Sequence, residues 1–188
     1  MRELSLHVLD VVENAMEASA QHIDLCIVED LDADRLTITV RDDGCGMDAK
    51  TVQKVRDPFF TTRMTRHVGL GIPLFAAAAE RCRGSLTVES SPGKGTTVTA
   101  TFQHSHLDRA PLGDMTSTLM GILMRDRDFD LHYVHRVGGA HMPAAIFEFD
   151  TAEIKRELGS LSLSYPEVRR WLGEFIAQGE QSLRVMQG

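Results

Sequence analysis

The sequence has few cysteines. Only Cys26, Cys45 and Cys82 occur among its 188 residues, and none stands in a CxxC pair. An odd, scattered set excludes a disulfide framework and a thiolate zinc site and reads as reduced thiols. An excess of positive charge is also missing: 27 acidic residues against 20 lysines and arginines give a formal net charge of -7, with the two signs interspersed. Phosphate contacts need a concentrated basic surface, so nucleic acid is not an expected partner. No apolar run reaches the roughly 20 residues a bilayer requires. Glu3, His7 and Asp10 interrupt the N-terminal apolar pattern, which therefore does not read as a signal peptide. Internal repeats and low-complexity segments are absent. The expectation is a cytoplasmic protein without a membrane segment, long enough for one domain and a small appendage.

What is present is periodicity. Leu4, Val8, Val11, Val12 and Ala15 repeat at helical spacing, while Glu3, His7, Asp10, Asn14 and Glu17 recur every three or four positions as an ionisable stripe. One face of this helix can pack while the other meets a ligand. Residues 23–28 and 36–40 read as strands joined by an acidic turn, and the second runs into Asp42-Asp43-Gly44-Cys45-Gly46-Met47. A short helix over 49–56 stops before Pro58. Val68-Gly69-Leu70-Gly71-Ile72 opens an alanine-rich helix that Gly84 ends, and strands 85–90 and 96–102 flank the turn Ser91-Pro92-Gly93-Lys94-Gly95.

These signals predict a first domain over residues 1–103. A lapse of pattern over 103–111 reads as a linker. Residues 104–188 then form a small α+β region: a helix at about 112–125, strands near 131–137 and 144–149 with a Gly138-Gly139 turn, a short helix from Thr151, and a helix from Pro166 to about Gln178. A partner-binding or regulatory role suits this second region.

Four motifs follow one another in fixed order. Asp10-Val11-Val12-Glu13-Asn14 lies on the first helix and Asp42-Asp43-Gly44-Cys45-Gly46 at a strand end. Asp57-Pro58-Phe59-Phe60-Thr61-Thr62-Arg63 leads into Gly69-Leu70-Gly71, and Gly93-Lys94-Gly95-Thr96-Thr97-Val98 closes the series. A lone GxG is an ordinary turn; four motifs in this order and these settings are specific. Together they resemble the GHKL, or Bergerat-fold, ATP-binding superfamily shared by histidine kinases, DNA gyrase and MutL. The Pro58–Thr62 and Gly93–Thr97 runs look most like histidine-kinase catalytic domains.

The resemblance covers about residues 3–102 and implies an α/β two-layer sandwich, a mixed sheet with helices on one face, with ATP and Mg2+ as cofactors. Within it, Asn14 matches the asparagine whose amide oxygen reaches Mg2+, a hard ion suited to oxygen ligands. Asp42 matches the carboxylate that accepts from the adenine amino group and repels a guanine carbonyl. Gly44 and Gly46 let backbone approach the ring, and Thr97 is expected to add a hydroxyl or water-mediated contact beside Asp42. Gly69, Leu70 and Gly71 precede a helix whose amides and dipole can receive phosphates, with Arg63 a candidate lid or phosphate charge. Phe59 and Phe60 read as lid-packing groups and Cys45 as a space-filler.

Asp10 lies one helical turn before Asn14, where the ATPase branches of the superfamily carry a general-base glutamate. An aspartate there is a candidate general base or water orienter, one methylene shorter, and it permits slow hydrolysis. His7, another turn back, is a candidate orienting partner for it or a plain surface histidine. A complete sensor kinase carries its phosphoaccepting histidine on a dimeric hairpin before the ATP module, and here the module starts at residue 3, so the resemblance implies a kinase or ATPase acting with a separate protein partner. His106-Leu107-Asp108-Arg109-Ala110-Pro111-Leu112 echoes the acceptor box, which makes His106 a phosphoacceptor candidate if it reaches the terminal phosphate in cis or across a homodimer. The alternatives are an anti-sigma-type serine kinase and a noncatalytic, ATP-controlled interaction protein. His132 and His135 fall on opposite faces of a strand, which argues against a local histidine metal site.

Overall fold

The computed structural model describes residues 3–55, 71–139, 141 and 144–184. Arg63, Gly69 and Leu70 lie outside these described residues, as do Phe59 and Phe60. The elements run α1 (Leu4–Glu17), β1 (His22–Asp30), β2 (Arg35–Asp42), α2 (Ala49–Lys54), α3 (Gly71–Arg81), β3 (Ser85–Ser90) and β4 (Thr96–Gln103). They continue with α4 (Met115–Leu123), β5 (Asp130–Gly138), β6 (Ala145–Asp150), α5 (Thr151–Leu158) and α6 (Pro166–Arg184).

Six strands form one mixed sheet in the order β3-β4-β2-β1-β5-β6. Neighbours are antiparallel except β1 and β5, which run parallel from His22↔Asp130 to Asp30↔Gly138. Period-two alternation decides which side chains go inward. Ile23, Leu25 and Ile27 of β1, Leu36, Ile38 and Val40 of β2, and Val98, Ala100 and Phe102 of β4 are buried on one face, together with Leu131, Tyr133, Phe147 and Phe149 of β5 and β6. The opposite face carries Thr37, Thr39, Thr97, Thr99 and Thr101, all only partly covered. Helices pack on the apolar face, and the expected α/β sandwich is what the sheet and helices form.

The segment after residue 104 continues this sheet and this core. β5 joins the free side of β1, and Leu119, Leu131, Tyr133, Leu172 and Ile176 belong to the same buried cluster as Val8, Leu25 and Phe75. The run 103–111 does more than connect. The carbonyls of Pro111 and Leu112 accept from the amides of Leu4 (3.0 Å) and Ser5 (2.8 Å), which satisfies two otherwise orphaned donors of the first turn of α1. Glu3 precedes that turn without a side-chain cap.

Local chemistry sets the other helix starts. Asp48, Asp114 and Asp150 each accept a backbone N–H of the following turn, from Thr51, Ser117 and Ala152, and so begin α2, α4 and α5. Helix α6 continues past Gln178 to Arg184 because its apolar face does: Val168, Leu172, Ile176 and Leu183 are all buried. Gly179 is interior to that helix, and a Cβ there would stand 2.2 Å from the Phe147 ring, so the glycine permits close helix-on-sheet contact.

Candidate functional site

The site residues gather where β2 ends. Strand β2 carries Asp42 on its inward face, in line with Leu36, Ile38 and Val40, and the residue is 9% exposed. Its Oδ1 accepts from the Gly44 amide at 2.9 Å. Burial raises the Asp42 carboxyl above its ordinary range, against the opposing backbone hydrogen bonds of Gly44 and Thr96. A buried carboxylate pulled both ways in this manner makes Asp42 a candidate functional position.

The glycines around it are dictated by backbone crowding. A Cβ on Gly44 would lie 2.8 Å from Ala18, the residue that follows α1. Gly95 has φ +81, and a Cβ there would stand 1.8 Å from the Asp42 carbonyl oxygen. The loop after Asp42 is thereby clamped between the end of α1 and the β3–β4 turn: Cys45 N–H donates to Ala18 O (2.9 Å), and Gly93 N–H donates to Cys45 O (2.8 Å).

The strand register corrects one expectation. Asp42 lies opposite Thr96, whereas Thr97 lies opposite Arg41 and so belongs to the other face of the sheet. The hydroxyl on the Asp42 side is that of Thr96. It stands 2.9 Å from Ser90 Oγ, which also accepts from Met47 N–H and donates to Gly95 O, at 2.8 Å each. The signal was available in the sequence: Val98, Ala100 and Phe102 point inward, so alternation places Thr96 inward and Thr97 outward. Ser90 and Asp43 were also missed. Asp43 binds the amides of Gln21 (2.7 Å) and His22 (2.9 Å) and the His22 ring (2.9 Å), fixing the loop to the start of β1.

Helix α1 supplies the second wall. Asp10 and Asn14 are partly exposed, four residues apart on one side. Gly71, the first residue of α3, abuts Asp10 so closely that a Cβ would lie 3.1 Å from the Asp10 Cβ. The structure thus brings together Asp10, Asn14 and Gly71 along α1, with Asp42, Gly44 and Gly46 at its far end. His7 departs from the expected ionisable stripe. It is 3% exposed, its ring stacked on Phe75 at 4.9 Å and 8°, in the α1–α3 interface.

His106 lies beyond the other end of β4, past Gln103, and its Nδ1 accepts from the Asp108 amide at 3.2 Å. The length of β4, roughly 23 Å for its eight residues at about 3.3 Å per step, separates it from Thr96. His132 and His135 occupy opposite faces. The first bridges Asp24 (3.1 Å) and Glu148 (2.8 Å) outside, and the second is buried against Glu29 and Glu180. Among the described residues no group of three or more His, Cys, Asp or Glu side chains is arranged to hold a metal ion.

Residues 2–106, more than half of the chain, match the model of the "Histidine kinase-, DNA gyrase B-, and HSP90-like ATPase" family. The chain belongs to this family. Its relatives include the sensor protein kinase FleS of Pseudomonas aeruginosa, 40% identical over 49% of this chain and 23% of that protein. The sensor histidine kinase WalK of Bacillus subtilis is 32% identical over 52% of this chain and 17% of the relative, and sporulation kinase E of the same organism is 32% identical over 47% and 12%. The matched region is therefore a quarter or less of each of these proteins. Among solved structures, the N-terminal domain of a DNA repair protein superposes with a TM-score of 0.51 at 14% identity, over 78% of this chain and 52% of that one, a likeness of fold. No helix among the described residues is long and apolar enough to cross a membrane.

The donor set suits an adenine nucleotide with a hard divalent cation. Asp42 offers a buried carboxylate acceptor for an exocyclic amine, and the Asn14 amide and Asp10 carboxylate offer oxygen atoms on one helix face.

Proposed function

We propose that this chain binds ATP with Mg2+ and acts in cytoplasmic signalling as a histidine-kinase-like phosphotransfer or slow ATPase module, with a separate protein as partner. The observation that carries the reading is the Asp42 carboxylate, buried at the end of β2 and held by the Gly44 and Thr96 amides, with Asn14 and Asp10 on the adjoining helix. Asp42 selects adenine by accepting from its amino group. Asn14 presents an oxygen to Mg2+, which neutralises phosphate charge when bound. Gly71, at the start of α3, receives phosphate oxygens, with Gly69 and Leu70 just before it in sequence and Arg63 as the accompanying charge. Asp10 orients the attacking water or acts as its base.

Residues 1–103 form the nucleotide module in this reading, and residues 104–188 serve the partner. The distance of His106 from the Asp42 end favours an acceptor on another protein, or water, over transfer to His106 within one chain.

The test is titration of the protein with MgATP, followed by incubation with ATP labelled on its terminal phosphate. Asp42→Asn is expected to weaken binding by roughly tenfold to a hundredfold, the worth of a hydrogen bond to a charged group. Asn14→Ala should abolish the Mg2+-dependent share. Acid-labile label on an added partner supports the kinase reading, released phosphate without labelled protein supports the ATPase, and absence of MgATP binding by the intact protein overturns both.

A further inference from the structure

The end of helix α1 is held by a segment outside the matched family region. Arg127 Nη1 donates to the carbonyl of Met16, in the last turn of α1, at 2.6 Å. Met16 O already accepts from Ser19 N–H at 3.1 Å, so the guanidinium adds a second, charged donor there and complements the negative end of the helix. Two residues earlier, the Arg125 guanidinium pairs with Glu13, the neighbour of Asn14. Asp130 N–H donates to Gln21 O at 2.7 Å, which seats the segment beside the start of β1. From the other side Lys155 of α5 grips it, donating to Phe129 O (2.7 Å) and Asp130 Oδ1 (2.8 Å).

What α1 does at this end makes the contact consequential. Ala18 receives the Cys45 amide and leaves no room for a Cβ on Gly44, so the end of α1 directly positions the loop that follows Asp42. Asn14 stands two residues before Met16. The Arg125–Glu13 pair is half exposed on the arginine side, and pairs of this kind add little to stability. Global stability is therefore a weak reason for this clamp, and local placement of α1 a better one.

We propose that Arg127, with Arg125 beside it, is a positioning residue of the nucleotide site, through which the α4–β5 segment and α5 sense and set nucleotide affinity. The inference rests on the ATP-binding reading above. Coupling of this kind is reciprocal: a partner that shifts the segment changes affinity for nucleotide, and nucleotide changes the order of the segment by the same free energy.

The experiment measures MgATP affinity of the full chain, well below its unfolding temperature, for wild type, Arg127→Met, Arg127→Lys and Arg125→Gln. Arg127→Met is expected to bind roughly tenfold more weakly, within the usual range of such coupling. Arg127→Lys, which keeps a donor, should recover most of that loss. In wild type, MgATP should slow amide exchange in residues 125–130. A purely structural role would lower the unfolding midpoint without moving the affinity of the folded protein. Wild-type affinity in a cooperatively folded Arg127→Met overturns the inference and leaves the nucleotide reading intact. Should that variant fail to fold, wild-type affinity in Arg125→Gln, with no exchange response at 125–130, overturns it instead. Failure of the wild-type protein to bind MgATP removes the nucleotide reading, and this inference with it.

Discussion

Nδ1 of His135 lies 3.1 Å from Oε2 of Glu180, an ion pair that fastens helix α6 to the interior of the sheet. The ring's other nitrogen, Nε2, is 3.1 Å from Glu29 Oε1 on β1, and the Tyr133 hydroxyl donates to Glu180 Oε1 at 2.7 Å. His104, just past β4, reaches the second oxygen of Glu29 at 2.5 Å. Four parts of the chain thus meet in one polar cluster. Removing one partner of a buried pair strands the other, at a cost of about 3–5 kcal/mol. Glu180→Ala leaves His135 still paired with Glu29, so it is expected to lower stability by less than that, about 1–3 kcal/mol for the buried hydrogen bonds lost. The urea midpoint should fall with an unchanged denaturant slope.

The same cluster sets a pH dependence. Burial works against charge on His135, but hydrogen bonds and charge from Glu180 and Glu29 outweigh it and raise its pKa from 6.5 to about 9. Burial likewise works against charge on Glu29, yet the hydrogen bonds and charges of His135 and His104 hold it at about 2, below the ordinary 4.5. A raised histidine stabilises fully below its unfolded pKa of 6.5, and the contribution disappears as pH rises through about 9. The depressed carboxylate stabilises above 4.5 and loses its contribution as pH falls through about 2. Unfolding free energy should therefore decline from pH 6.5 to beyond pH 9, more steeply in wild type than in Glu180→Ala. Equal alkaline slopes in urea titrations would remove the cluster as the cause.

Much of the fold, and the motifs that make up the candidate site, could be read from the residues. The alternation in β1, β2 and β4 and the periodicity of α1 rest on local rules, and Asp42 and Asn14 stood out because their motifs occur in order. What escaped depended on distant partners. Nothing near His135 in sequence announces Glu29 or Glu180, and nothing in the run 103–111 or at the start of the helix expected from 112 shows that Pro111 and Leu112 would cap α1. His7 was misplaced because its helical spacing fits the polar stripe, while the packing of α3, through Phe75, draws that position into the core. The helix expected to end at about Gln178 runs on to Arg184, and Gly179 within it is the residue that lets it lie against Phe147.

The choice between Thr96 and Thr97 can be tested directly. Thr96 shares the face of Asp42 and contacts Ser90 Oγ, whereas Thr97 lies across from Arg41 on the other face. Thr96→Val is expected to weaken adenine-nucleotide binding by several-fold, about the worth of one neutral hydrogen bond. Thr97→Val should leave it nearly unchanged. Calorimetric titration of both variants decides the matter, and the reverse pattern would return Thr97 to the site.

Gly95 offers a steric test of the same corner. Its φ of +81 disfavours any side chain, and a Cβ would overlap the Asp42 carbonyl at 1.8 Å, a backbone atom that cannot swing aside. Gly95→Ala is expected to cost about 2 kcal/mol or more, combining left-handed strain with displacement of the β2–β4 pairing. Gly93 has a similar φ of +72 but open space around it, so Gly93→Ala should cost only the strain. Thermal unfolding of the two variants separates conformational strain from crowding.

His7 provides the acid counterpart. Its Nδ1 is buried without a hydrogen-bond partner among the described residues, and burial lowers its pKa from 6.5 to about 4. The sign is opposite to that of His135. Below pH 6.5 the unfolded chain gains a proton that the folded ring refuses until about pH 4, so stability falls as pH drops through this window. Glu29 contributes nothing to that decline above 4.5, because its stabilising effect is complete there. The interval from 4.5 to 6.5 therefore isolates His7 from this carboxylate. His7→Phe keeps a ring against Phe75 and removes the unpaired nitrogen, whose burial costs about 1–3 kcal/mol, offset in part by the larger volume. The variant should be at least as stable as wild type at pH 7 and should show a flatter urea midpoint between pH 6.5 and 4.5. A slope identical to wild type would mean that a different group takes up the proton.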